Sequence, residues 1–118
     1  MSWYKIGTLN DLVLNSGICA QVNNQQVAVF YVPNDKQSVF AISNFDPIGK
    51  ANVLARGIVG SLQAQLVVAS PLYKQHFCLK TGQCLEAETI RVPVYKAKVE
   101  HDQVFISSQP VQAASSVS

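Results

Sequence analysis

The chain is 118 residues long, 48% apolar and only 14% charged, with a formal net charge of +2. That length and composition suit a single folded domain and exclude a disordered chain. Lys and Arg are too scattered to track a phosphate backbone, so no nucleic-acid partner is expected.

Tyr4-Lys5-Ile6 reads as a short strand, and Thr8–Leu12 as one helical turn. Ile18–Val22 alternates apolar and polar residues. Asn23-Asn24 then supplies a hairpin turn, because Asn accepts positive φ at little cost. Val27–Val32 is a continuous apolar run, the pattern of a strand buried on both faces, and Pro33-Asn34-Asp35 ends it. Val39–Ile42 is the next strand. Residues 43–60 hold Pro47, Gly49, Gly57 and Gly60 with little periodicity and read as a long structured loop. Gln65–Ala69 is a strand, Ser70-Pro71 opens a second loop, and His76–Leu79 alternates up to the turn Lys80-Thr81-Gly82. Val92–Val99 and Gln103–Ile106 form a closing hairpin about Glu100-His101-Asp102.

The domain is expected over residues 1–108, with a small, polar, flexible tail over 109–118. Met1–Lys5 shows no secretory leader pattern, and no apolar stretch nears the roughly 18 residues of a membrane span. Cys19, Cys78 and Cys84 are an odd set at unremarkable spacings, so a cytoplasmic chain with reduced thiols and no membrane association is expected. Short strands between turn signals predict an all-β sandwich or small barrel. Two loops longer than a hairpin needs mark a place that carries function, or once did.

A family pattern is concentrated at those loops. Asn44-Phe45-Asp46-Pro47-Ile48-Gly49 occupies the first, Gly57-Ile58-Val59-Gly60 follows, and Val68-Ala69-Ser70-Pro71-Leu72-Tyr73 opens the second. Phe77–Leu85 and the pair Val92–Tyr95 with Val104–Ile106 complete it. Over residues 3 to 107 the chain resembles a Rieske-type domain. In that family a Cys-x-His loop and a Cys-x-x-His loop hold the two irons of a [2Fe–2S] cluster. The resemblance implies an all-β, Rieske-like (ISP-type) fold in which Phe45, Pro47, Ser70 and Tyr73 stand where the four ligands would be. Phe and Pro have no donor side chain, a Ser hydroxyl stays protonated, and an unperturbed phenol has a pKa of about 10. No cluster, other cofactor or metal is therefore expected in this chain. Phe45, Pro47, Pro71, Leu72 and Tyr73 are expected to pack the two loop tips against each other instead.

Loops degenerate in this way, with Trp3, the segment Asn44–Pro47 and the run Ser70–Gln75, resemble the small subunits of NADH-dependent, assimilatory-type nitrite reductases. The resemblance implies a subunit with no catalytic residue of its own, in an NAD(P)H enzyme of nitrogen metabolism that reduces nitrite to ammonium. It would support assembly or stability of a large subunit holding FAD, an Fe–S cluster and sirohaem. A Rieske-type ferredoxin electron carrier is one alternative, and it lacks the ligands it needs. A small β-barrel binding module is another. It would want exposed aromatics interleaved with Lys and Arg on one sheet face, which the linear sequence does not display.

Smaller signals read plainly. His76, Cys78 and Cys84 fall short of the four ligands that zinc takes, so Cys78, Cys84 and Cys19 are expected to be ordinary core thiols. His101-Asp102 fits a solvated turn, and Ser70 is in no nucleophile elbow. Lys50, Arg56, Lys74 and His76 lie in or near the two loops and would give a mildly basic edge for docking on the large subunit.

Overall fold

A computed structural model describes residues 2–33, 37–72 and 74–111. The strands are β1 (Trp3–Thr8), β2 (Ser16–Val22), β3 (Gln25–Tyr31), β4 (Val39–Ser43), β5 (Phe45–Asp46), β6 (Ala51–Asn52), β7 (Ile58–Leu62), β8 (Gln65–Ala69), β9 (His76–Cys78), β10 (Val94–Glu100) and β11 (Gln103–Pro110). Short 3-10 turns occur at Leu9–Asp11 and Leu54–Arg56. A six-stranded sheet runs β1-β11-β10-β4-β3-β2, β7-β8-β9 form a three-stranded sheet, and β5 pairs with β6. The architecture is all-β, and the named strands pair antiparallel, with an isolated parallel bridge between Leu14 and Tyr31.

The two apolar central strands explain how one small chain builds two cores. Side chains alternate faces along a strand, so an uninterrupted apolar run feeds both sides. Val27, Val29, Val39 and Ala41 enter a cluster with Tyr95, Val104 and Ile106. Their neighbours Ala28, Phe30, Phe40 and Ile42 enter a second cluster with Leu54, Val68, Phe77 and Leu79. β3 and β4 are the shared wall between them.

Turn chemistry fixes the registers. Asn23 and Asn24 have φ of 51° and 65°, so Val22 pairs directly with Gln25 across a two-residue turn. Gln63-Ala64 and His101-Asp102 turn their hairpins with the same pair of positive φ values. His101 and Asp102 are exposed, as a solvated turn requires.

Residues 43–60 are more regular than their sequence suggests, for they contain β5, β6, a 3-10 turn and the start of β7. Periodicity failed there because β5 and β6 are only two residues each and β7 is an edge strand with Ile58 exposed. β11 runs on to Pro110, and residues 112–118 of the expected tail lie outside the described residues, as do 34–36. Cys19 corrects an expectation: it is exposed on edge strand β2, while Ile18 and Ala20 on the opposite face pack inward. Cys78 and Cys84 are buried. Among the described residues no helix is long and apolar enough to cross a membrane.

Candidate functional site

The two loops are built alike and joined through their first residues. In the first, the Lys50 N–H donates to the Asp46 carbonyl at 2.7 Å, and in the second the Lys74 N–H donates to the Ser70 carbonyl at 3.0 Å. Each loop thus closes a backbone hydrogen bond onto a lysine with positive φ, 57° at Lys50 and 65° at Lys74. Asp46 and Ser70 are both fully buried, and the Ser70 hydroxyl donates to Asp46 Oδ2 at 2.5 Å. Asp46 Oδ1 also accepts the N–H groups of Ile48 at 2.8 Å and Gly49 at 3.0 Å. Ser70 Oγ in turn accepts the Leu72 N–H at 3.3 Å. A single carboxyl group organises one loop and clamps it to the other.

This polar clamp replaces the apolar plug expected from Phe45, Pro47, Pro71, Leu72 and Tyr73. Phe45 is 42% exposed and Leu72 44%, and Pro71 is exposed as well. Pro47 is half-buried, and Tyr73 lies outside the described residues. Leu72 does lie across the first loop: a Cβ at Gly49 would meet its Cδ1 at 2.4 Å. The apolar contact between the loops is therefore a lid over a hydrogen-bonded centre. An apolar-only reading missed Asp46, although Asp-Pro-x-Gly is a turn-opening pattern in which the carboxylate accepts N–H groups two and three residues on.

Buried Asn44 anchors the first loop from behind. Its Oδ1 accepts the Ala55 N–H at 2.7 Å, its Nδ2 donates to Gln26 Oε1 at 3.1 Å, and its own backbone N–H donates to the Gln26 carbonyl at 3.0 Å. Behind the second loop, the Gln83 amide nitrogen lies 3.1–3.3 Å from the carbonyls of Cys84, Ala87, Glu88 and Ile90, gathering that segment around one side chain. Neither role has a motif in the linear sequence.

Of the four basic candidates, Lys50 and Lys74 stand at equivalent positions on the joined loops and are exposed. Arg56 is exposed on the 3-10 turn that follows. His76 plays a different part. Glu86 Oε2 sits 2.6 Å from His76 Nδ1, and Glu86 Oε1 accepts the His76 backbone N–H at 2.7 Å. Partial burial raises the Glu86 pKa, but the two His76 hydrogen bonds and the imidazole charge outweigh it and leave the carboxyl below its ordinary value. A carboxyl depressed on folding stabilises above its unfolded pKa, and that contribution is lost as pH falls through the folded value. Glu86→Gln is accordingly expected to lower the melting temperature slightly at pH 7, with the gap to wild type closing below about pH 4. Paired thermal melts check this, and a gap that stays constant with pH would refute it. Cys84 lies beside this pair, 3.8 Å from Glu86 Oε1, with its thiol pKa pushed up chiefly by burial.

The residues present do not fit a [2Fe–2S] cluster. Phe45 and Pro47 have no donor, and the Ser70 hydroxyl is already committed to Asp46 in a sealed position. Among the described residues, no group of three or more His, Cys, Asp or Glu is placed to hold a metal ion. The Ser70 hydroxyl and the Asp46 carboxyl are both buried, so their pairing organises the two loops while the outer residues face solvent.

The description "Rieske-like [2Fe-2S] domain" matches residues 2–107. The nitrite reductase (NADH) small subunit of Escherichia coli (strain K12) is 43% identical over 98 residues, which make up 83% of this chain and 90% of that protein. The solution NMR structure of the nitrite reductase [NAD(P)H] small subunit from Erwinia carotovora superposes with a TM-score of 0.75 at 46% identity, covering 97% of this chain and 88% of that one. A third relation is of another kind. The nitrite reductase [NAD(P)H] large subunit of Klebsiella oxytoca is 32% identical over 116 residues, which are 98% of this chain but 12% of that protein.

Proposed function

The chain belongs to the Rieske-like [2Fe-2S] domain family and is homologous to the small subunits of NADH nitrite reductase, and we propose that it acts as a non-catalytic subunit of such an enzyme. In this reading the large subunit carries the FAD, the Fe–S cluster, the sirohaem and the reduction of nitrite to ammonium. This chain contributes a rigid surface that aids assembly or stability, in the cytoplasm where NADH is supplied. The observation that supports the proposal is the Asp46–Ser70 clamp: a side-chain hydrogen bond joins the two loops at the place where the family's cluster ligands would stand. The Klebsiella large subunit supports the choice of partner, since a segment similar to nearly all of this chain is there part of the large chain itself.

Lys50, Arg56 and Lys74 form the basic edge proposed to orient docking, with His76 held back by Glu86. Charges at the rim of an interface act mainly on association rate and its salt dependence. Lys50→Glu with Lys74→Glu is expected to slow association with the large subunit by about tenfold at low salt, the difference fading as salt rises. Surface-bound large subunit titrated with each chain measures this, and equal rates at low salt would remove the loop edge from the docking surface. Colour, iron and acid-labile sulfide in the isolated chain would overturn the cluster-free reading.

A further inference from the structure

Strand pairing assembles a surface that the linear sequence hides. On β1, β10 and β11 the residues Ile6, Ala97, Val99, Val104 and Ile106 pack inward, so their alternates Lys5, Lys98 and Phe105 face out, with Trp3 in line with Lys5. Lys98 and Lys5 flank Phe105 in register, one on each side. The Lys98 ammonium lies 4.4 Å from the centre of the Trp3 ring and 5.6 Å from that of Phe105, and 3.6 Å from Glu100 Oε2. Trp3 is 38% exposed. A cation seated between two rings fixes both before any partner arrives, which lowers the ordering cost of binding. Interleaved aromatic and basic side chains on one sheet face are thus present, drawn from positions 3, 5, 98 and 105.

The position of this face says what covers it. The Ser108 N–H donates to the Ser2 carbonyl at 2.7 Å, and the Ser2 N–H donates to Ser108 Oγ at 3.1 Å. The start of β1 and the last residues of β11 therefore lie together beside Trp3, and the described chain runs on to Val111, whose N–H donates to the Val94 carbonyl at 2.6 Å. In the Klebsiella large subunit the matching segment spans 98% of this chain. A connection continuing from either described end would start near this edge of the sheet. A short tether raises the effective concentration of the neighbouring chain most at the surface nearest its root.

Resting on the subunit role proposed above, we infer that the Trp3–Lys98–Phe105 face is a seat for the nitrite reductase large subunit, separate from the loop edge. Trp3 enters an apolar pocket on that partner, and carboxylates around the pocket meet Lys5 and Lys98. Trp anchors of this kind dominate interface energetics.

Trp3 is the only tryptophan in the chain, so a chain grown with 5-fluorotryptophan carries one fluorine resonance, at this face. Titration with unlabelled large subunit is expected to shift or broaden that resonance in step with complex formation seen by gel filtration. Trp3→Ala is expected to weaken the complex about thirtyfold while melting as a folded domain. A complex that forms with the resonance unmoved would overturn the inference and leave the subunit role standing. No complex at all would overturn both. A resonance that moves with the concentration of the chain alone, or with a single-stranded oligonucleotide and not with the large subunit, would assign the face to another occupant and equally overturn it.

Discussion

Replacing Asp46 with Ala is expected to lower the stability of the domain by about 3 kcal/mol or more, the largest effect of any single side-chain truncation in the loops. The substitution removes the acceptor for the Ser70 hydroxyl and for the Ile48 and Gly49 N–H groups at once, in a place with no solvent access. Each buried donor left without a partner costs about 1–3 kcal/mol, and relaxation of the loop toward water recovers part of the sum. Asp46→Asn is expected to cost only about 1 kcal/mol, because its carbonyl oxygen still accepts the two N–H groups and its amide can donate to Ser70 Oγ. Urea denaturation of the three proteins, with unchanged slopes, measures the differences. An Ala variant as stable as the Asn variant would mean that the two loops are held by their apolar lid and not by the clamp.

Gly82→Ala is expected to cost about 3 kcal/mol through the backbone alone. Gly82 has a φ of +78°, and a Cβ there would stand 2.1 Å from the Val92 carbonyl oxygen. The same backbone cannot move aside freely, since the Gly82 N–H donates to the Cys78 carbonyl and the Gly82 carbonyl accepts the Val92 N–H. Gly60→Ala is the internal control: a Cβ on that residue meets nothing within 4 Å, and stability should change by less than about 0.5 kcal/mol. Thermal melts of both variants decide the point. Equal melting temperatures for the two would show that the turn after β9 adapts to a side chain.

The strands that serve a core were legible because burial writes a pattern into them. Val27–Val32 announced two buried faces, and the structure supplies a core on each. Asn23-Asn24 announced a two-residue turn by residue chemistry, whereas Gln63-Ala64 adopts the same conformation with residues that give no such sign. β7 escaped because an edge strand with an exposed Ile58 has no inward alternation to display. At the candidate site, the lack of a donor side chain at Phe45 and Pro47 was readable from residue type, but the bond between Asp46 and Ser70 was not. Asp46 and Ser70 lie 24 positions apart, and a hydrogen bond between them depends on two turns of matching geometry. The aromatic face was hidden for the same reason, its members being neighbours only through the pairing of β1, β10 and β11.

Because β3 and β4 wall both apolar clusters, loss of order in one half is expected to weaken the other. Phe40 on one side and Val39 and Ala41 on the other are adjacent along the same strand, so a disturbance of one is expected to reach the others. The loops at one end and the aromatic face on the other side thus hang from a common beam. Their relative placement is a fixed dimension of the domain, set by two strands of seven and five residues.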